Sequence, residues 1–288
     1  MDGAAMKNKK KASWIVILVF SIAILSVGSF FLIQYFQQKD VSRNDFTPTG
    51  ATMDYATKEP TEAPDPNAPT QRPTLPKSTS PWVDKVAQYS GFNVDFNELN
   101  KINTDVYAWI YIPNTNVDYP VAQSIADHDD SFYLSHNIYR QYQFSGTIYS
   151  EVKNHIDFHD RVTVLYGHNM LNGSMFNNLH LFRDAYFFEH NPYIYVYLPD
   201  RTLTYEIFSA YEYDDRHLLY SFDFNDREVF EEYLEYAKNP TKTLICTRRE
   251  LDVTADDKII TLSTCFDNID TSRYLVQGVL ISDEPATR

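Results

Sequence analysis

The sequence predicts a mainly β fold, a closed barrel or sandwich of about eight strands interrupted by one inserted helix. Three observations carry that expectation. Short runs of β-branched and aromatic residues recur between Tyr107 and Ile281, with turn signals separating them. One longer segment breaks the rhythm: between Arg227 and Lys238, Val229, Phe230, Tyr233, Leu234 and Ala237 recur at helical spacing. The 288 residues, 43% hydrophobic and 15% aromatic, suffice for one sizeable domain with attachments.

The elements follow in chain order. Residues 1–12 form a short tail containing Lys7, Lys9, Lys10 and Lys11. Residues 13–34 read as a transmembrane helix. The twenty residues from Trp14 to Ile33 carry no charge, and at ~1.5 Å per residue they span a hydrocarbon core of ~30 Å. The lysines before this run place the N-terminus in the cytoplasm and the rest outside, giving a single-pass protein of the cell membrane. A cleaved signal peptide is the rival reading, but the apolar run exceeds the usual ~7–15 residues and no A-x-A site follows it. Residues 35–81 read as a disordered linker. Pro48, Pro60, Pro64, Pro66, Pro69, Pro73, Pro76 and Pro81 alternate with Thr, Ser, Ala and acids, which favours extended chain without a core. At ~3.1 Å per residue it holds the next domain up to roughly 100 Å from the bilayer.

Residues 82–288 form the folded, extracellular domain. Short helices are expected at Trp82 to Ala87 and Asp95 to Ile102. Strands are expected at Tyr107 to Ile112, Val117 to Val121, Gly146 to Tyr149, Arg161 to Tyr166, Tyr193 to Leu198, Leu203 to Tyr213, Ile259 to Thr264 and Arg273 to Ile281. Pro113-Asn114-Thr115-Asn116 is a turn between the first two. Asn225 or Asp226 caps the inserted helix, and Asn239-Pro240 ends it.

Charge and cysteine content exclude several classes. Formal net charge is −14, from 39 acids and 25 bases, and no basic stripe or nucleic-acid motif is present, so no nucleic-acid partner is expected. The two cysteines, Cys246 and Cys265, are too few for a disulfide scaffold. A bridge between them would consume the most reactive candidate, and Cys246 reads as a small buried apolar residue. His155 and His159 are spaced i,i+4, but no third ligand with consistent geometry can be named, so no metal and no cofactor are expected.

Three residues stand at strand ends with chemistry to offer. The run Ile259-Ile260-Thr261-Leu262-Ser263-Thr264 stops in Cys265, and Arg273 opens the next strand-like run eight residues later. Upstream, Val162-Thr163-Val164-Leu165-Tyr166-Gly167 stops in His168. A thiol, an imidazole and a guanidinium so placed are the parts of acyl transfer through a cysteine nucleophile. Asp267 and Asp270 would raise the thiol pKa, so a nearby cation is needed, with Arg273 and His168 as candidates. Arg273 offers permanently charged forked donors to an oxyanion.

Thr261-Leu262-Ser263-Thr264-Cys265 matches the TLxTC signature of the sortases, membrane-anchored cysteine transpeptidases of Gram-positive bacteria. Leu165-Tyr166-Gly167-His168 with Ser174-Met175-Phe176 and Leu179 resembles the histidine region of class B sortases, as does the inserted helix. Trp109 to Pro113 and Tyr119-Pro120-Val121 look like the early strands of that family. The resemblance covers about Val83 to Ile281. It implies an eight-stranded sortase β-barrel with N-terminal helices and one inserted helix before the catalytic-cysteine strand. It implies His168, Cys265 and Arg273 as the catalytic set, with substrate contacts at Ser263, Thr264, Asp130, Leu134 and Ser221. Two departures accompany it: the loop Phe266 to Ser272 is slightly shorter than in better-known class B members, and Asp130 stands where some relatives carry an amide.

The implied partners are an NPxTx- or LPxTG-like sorting signal on a secreted protein and an amine acceptor, either peptidoglycan or a pilin lysine. The resemblance implies that Cys265 would attack the threonine carbonyl, that Arg273 and a backbone N–H would hold the oxyanion, and that His168 would protonate the leaving amine before activating the incoming one. An inactive sortase-like scaffold and a simple cysteine peptidase are the alternatives, and the intact Cys265, His168 and Arg273 argue against the first.

Overall fold

A computed structural model of the chain describes residues 94–124, 129–242, 244–266 and 269–286. The expected tail, transmembrane helix, linker and first short helix at Trp82 to Ala87 lie outside the described residues.

Helix α1 (Phe96–Ile102) begins where Asp95 accepts a hydrogen bond from the Glu98 backbone N–H, and it buries Phe96 and Leu99. Strands β1 (Val106–Tyr111), β2 (Asp118–Gln123), β3 (Ile148–Ser150) and β4 (Val162–Tyr166) follow. A 3-10 segment (Phe176–Arg183) leads into α2 (Ala185–His190), then β5 (Tyr193–Tyr197) and β6 (Arg201–Asp214). Helices α3 (Leu218–Ser221) and α4 (Arg227–Lys238) precede β7 (Cys246–Thr247), β8 (Ile259–Phe266) and β9 (Ile269–Pro285).

The strand order is β5-β1-β2-β3-β4-β8-β9-β6-β7, and β5 also pairs with β6. That last pairing closes eight strands into a barrel and leaves β7 as an extra strand on β6, so most strand edges are satisfied within the sheet. Two pairings are parallel, β2 with β3 and β4 with β8. The second is decisive for function, because it brings the C-terminal ends of β4 and β8 to the same rim.

Helix α4 matches the expected bounds. Asp226 caps it by accepting from the Glu228 and Val229 N–H groups, and Phe230, Tyr233, Leu234 and Ala237 form its buried face. Those residues join one apolar cluster with Ile259, Leu275, Val279 and Tyr211 from the sheet. Beneath the helix lies a polar knot. Gln277 Nε2 donates to Tyr233 Oη and to Thr261 Oγ1 (2.9 Å), and Tyr211 Oη donates to Gln277 Oε1 at 3.1 Å. Gln277 is fully buried, so these bonds replace the water it lost.

Candidate active site

The parallel pairing of β4 with β8 matches Val162 to Ile259 and continues to Tyr166 opposite Ser263. The backbone carries this one step further, with the Gly167 N–H donating to Ser263 O at 3.2 Å. β4 ends at Tyr166, and His168 follows two residues later on a loop whose next residue, Asn169, reaches the Cys265 carbonyl through its side chain at 3.2 Å. On the other side of β8, the antiparallel pairing with β9 makes Arg273 the direct partner of Cys265. Cys265 therefore lies between the Arg273 strand on one side and the loop that carries His168 on the other. Register partners sit ~4.5–5.5 Å apart at Cα and share a face.

Gly167 explains how the chain turns out of β4 here. A Cβ at that position would meet Ile148 Cδ1 at 2.5 Å and the Phe176 ring at 2.8 Å, so only glycine lets the strand leave between them. The half-buried His168 ring meets Leu134 and Phe144. Its Nε2 lies 2.8 Å from the Leu134 carbonyl oxygen, and the ring stacks on Phe144 with centroids 5.4 Å apart and planes 18° from parallel. A carbonyl only accepts, so Nε2 carries the proton and Nδ1 is left as the exchangeable nitrogen. Burial pushes the His168 pKa below its ordinary value, against a smaller opposing effect of the Leu134 carbonyl.

Cys265 is a half-buried free thiol, as is Cys246, and no bridge joins them. Sequence reasoning placed Cys265 at the mouth of a strand before a loop from Phe266 to Ser272. In the structure β8 runs on to Phe266 and β9 already begins at Ile269, with a register shift between Cys265 and Phe266. The arginine faces the cysteine because the hairpin is tighter and its strands longer than expected. Arg273 is half-buried, and its Nη1 donates to the Ser272 carbonyl at 3.1 Å. Cys246 was expected to be buried. It is half-buried because it lies on the two-residue strand β7, with its thiol 3.7 Å from Arg183 O and its pKa raised by that partial burial.

The expected substrate-contact residues divide. Ser263 lies on the Cys265 face of β8, two residues back, and pairs with Tyr166 and Leu275. Thr264 is buried on the opposite face, paired with Tyr274, and is not brought to the side of the thiol. Leu134 joins the site through its carbonyl, with its partly exposed side chain on the same rim. Asp130 Oδ1 accepts from the Val152 N–H at 3.3 Å. Ser221 ends α3 as an exposed residue, four positions after His217, whose ring lies 5.9 Å from Tyr166. Among the described residues no group of His, Cys, Asp and Glu is arranged to hold a metal.

Other site residues were not singled out from sequence. Asn169 Nδ2 donates to the Cys265 carbonyl at 3.2 Å, and Asn177 Nδ2 donates to Asn169 Oδ1 at 2.7 Å, which braces the end of β8 from the histidine loop. Asn169 directly follows His168, and that adjacency was the available signal. Glu151, just after β3, and His217, just before α3, form a second pair 2.7 Å apart. Burial is the main influence on the Glu151 carboxyl and pushes its pKa up, with His217 opposing.

The chain is similar to known sortases. A family model described as the sortase domain matches residues 110–281. Sortase B of Listeria monocytogenes is 32% identical over 190 residues, covering 65% of this chain and 74% of that protein. Sortase B of Staphylococcus aureus is 30% identical over 188 residues, with the same 65% and 74% coverage. The X-ray structure of Clostridium perfringens sortase B aligns with a TM-score of 0.58 at 33% identity, over 65% of this chain and 100% of that one.

Proposed function

Because the chain belongs to the sortase family, as a cysteine transpeptidase of the sortase B kind that anchors proteins, we propose that Cys265, His168 and Arg273 are its acyl-transfer machinery. Two observations support this: β9 pairs Arg273 with Cys265, and the loop after β4 that carries His168 is tied to the Cys265 carbonyl by the Asn169 side chain.

The thiol of Cys265 passes its proton to Nδ1 of His168 as sulfur attacks the threonine carbonyl of the sorting signal. A C–S bond forms, and the carbonyl electron pair moves onto oxygen. The Arg273 guanidinium, charged in every step, stabilises that oxyanion. Collapse of the tetrahedral species breaks the C–N bond, and the imidazolium of His168 returns the proton to the leaving amine. In the second half, neutral His168 takes a proton from the incoming amine as it attacks the thioacyl carbonyl. An amide forms, and the departing sulfur ends as the thiol once more. Burial around His168 suits this sequence, because it keeps the resting ring neutral and able to accept.

The acyl donor we propose is an NPxTx- or LPxTG-like signal, and the acceptor a peptidoglycan amine. Ser263, two residues before Cys265 on one strand face, Leu134, whose carbonyl meets His168, and Asp130 are the candidate donor contacts. For Thr264 and Ser221 the contact is proposed only through the backbone of β8 and the end of α3. The apolar run Trp14 to Ile33 supports a single-pass anchor with the catalytic domain outside the cell, where it meets secreted substrates at raised effective concentration. The test is product analysis with the full-length protein, a sorting-signal peptide and a primary amine. The proposal expects a new amide whose yield rises with amine concentration. Hydrolysed peptide alone at saturating amine would mark a peptidase instead.

A further inference from the structure

The loop between the 3-10 turn Phe132–Leu134 and β3 closes on itself like a hairpin. The Gln143 N–H donates to Ser135 O at 2.9 Å, and His136 pairs with Tyr142. Leu134 and Phe144 are the residues that flank the Ser135–Gln143 bond on the two arms of the loop. The closing end is fixed by Gly146, which adopts a φ of +62° and packs so tightly on the Tyr133 and Leu134 carbonyls that no Cβ fits there. The Thr147 N–H then donates to Tyr133 O at 2.8 Å. Leu134 and Phe144 thus sit on the two arms of one pinned loop, and both meet His168. One holds Nε2 through its carbonyl, and the other lies against the ring face.

Phe144 does not serve the core. Its side chain is 60% exposed, an unusual position for a large aromatic ring whose ordinary role is burial. Its near-parallel, offset contact with the imidazole is one of the favoured aromatic geometries. The ring also covers one face of His168 and so contributes to the half-burial that disfavours the imidazolium.

We propose that Phe144 is a positioning residue for the transpeptidation reaction, forming with the Leu134 carbonyl a clamp that fixes the orientation and tautomer of His168. This rests on His168 being the acid–base group. The clamp acts on the histidine and contacts no reacting atom. It therefore affects both half-reactions through one ring and leaves peptide binding alone.

The experiment uses the full-length protein carrying Phe144→Ala, Phe144→Tyr or, as a control, His168→Ala, with a sorting-signal peptide as donor. Phe144→Ala is expected to lower kcat for acylation about 3–10-fold, the range of one aromatic contact expressed as a rate, with KM and melting temperature unchanged. Selective nitrogen-15 labelling of histidine should show the His168 signal moving from the Nε2-protonated tautomer towards a mixture. Phe144→Tyr keeps the flat face and should restore both rate and signal. A wild-type kcat with an unshifted histidine signal in Phe144→Ala overturns the clamp. So does a raised KM at constant kcat, which would make Phe144 a substrate contact. Wild-type activity in His168→Ala would instead remove the acid–base reading itself, whatever Phe144 does.

Discussion

Replacing Arg273 by lysine separates an oxyanion donor from a solvated strand end. Arg273 is the cross-strand partner of Cys265, so its side chain starts roughly 5 Å from the nucleophile's backbone. One guanidinium nitrogen, Nη1, donates to the Ser272 carbonyl at 3.1 Å. Lysine keeps the charge but loses the planar geometry that allows anchoring and donation at once. Losing one oxyanion donor costs roughly 10²–10³ in rate, or ~2.7–4 kcal/mol of transition-state stabilisation. The residue is half-buried at a strand position, so the fold should change by no more than about 0.5 kcal/mol. The assay is single-turnover acylation with a sorting-signal peptide, alongside thermal melting. The expected result is a large fall in the acylation rate with KM little changed, because the interaction strengthens only as the carbonyl becomes tetrahedral. Arg273→Lys acylating at the wild-type rate, with unchanged melting, would refute the reasoning.

Three further outcomes follow from the geometry. Gly167→Ala forces a methyl onto Ile148 and the buried Phe176 ring; it should destabilise by about 1–3 kcal/mol and lower activity by displacing His168, and an unchanged melt and rate would contradict the close-approach account. The acid limb of kcat/KM should lie below the ordinary histidine pKa of ~6.5, because burial lowers that of His168: activity requires the neutral ring and is lost as pH falls through the depressed value. An acid limb above 6.5 would oppose this sign. Gln277→Leu removes the amide that Thr261, Tyr233 and Tyr211 share beneath α4 and leaves those hydroxyls only one another as partners; urea unfolding should show a loss of about 1–3 kcal/mol, and a loss under 0.5 kcal/mol would contradict a structural role for the amide.

The strands were legible because they are long in β-branched and aromatic residues, and the inserted helix because Phe230, Tyr233, Leu234 and Ala237 mark its buried face. The short elements were not. Helices α2 and α3 and strand β7 span too few residues to show a period, and tertiary contacts hold them. The catalytic candidates could be picked out as strand-end residues, but their adjacency could not: it depends on the parallel pairing of β4 with β8 across about a hundred residues of sequence. The expected loop after Cys265 became paired strand because Arg273 belongs to a β9 that starts earlier than its apolar run suggests. Phe144 carried no signal, since an exposed aromatic in a polar loop has no periodicity to explain it. The membrane anchor and linker remain readings of composition, as they lie outside the described residues.

The central claim is that Cys265 forms the acyl bond. Intact-mass and peptide-mapping spectrometry of the full-length protein, trapped with a sorting-signal peptide before amine is added, reads that bond directly. The account predicts one thioacyl adduct, mapped to Cys265, absent in Cys265→Ala and discharged as an amide when the amine arrives. An adduct on Cys246 or elsewhere, or amide formation by Cys265→Ala at the wild-type rate, would contradict it.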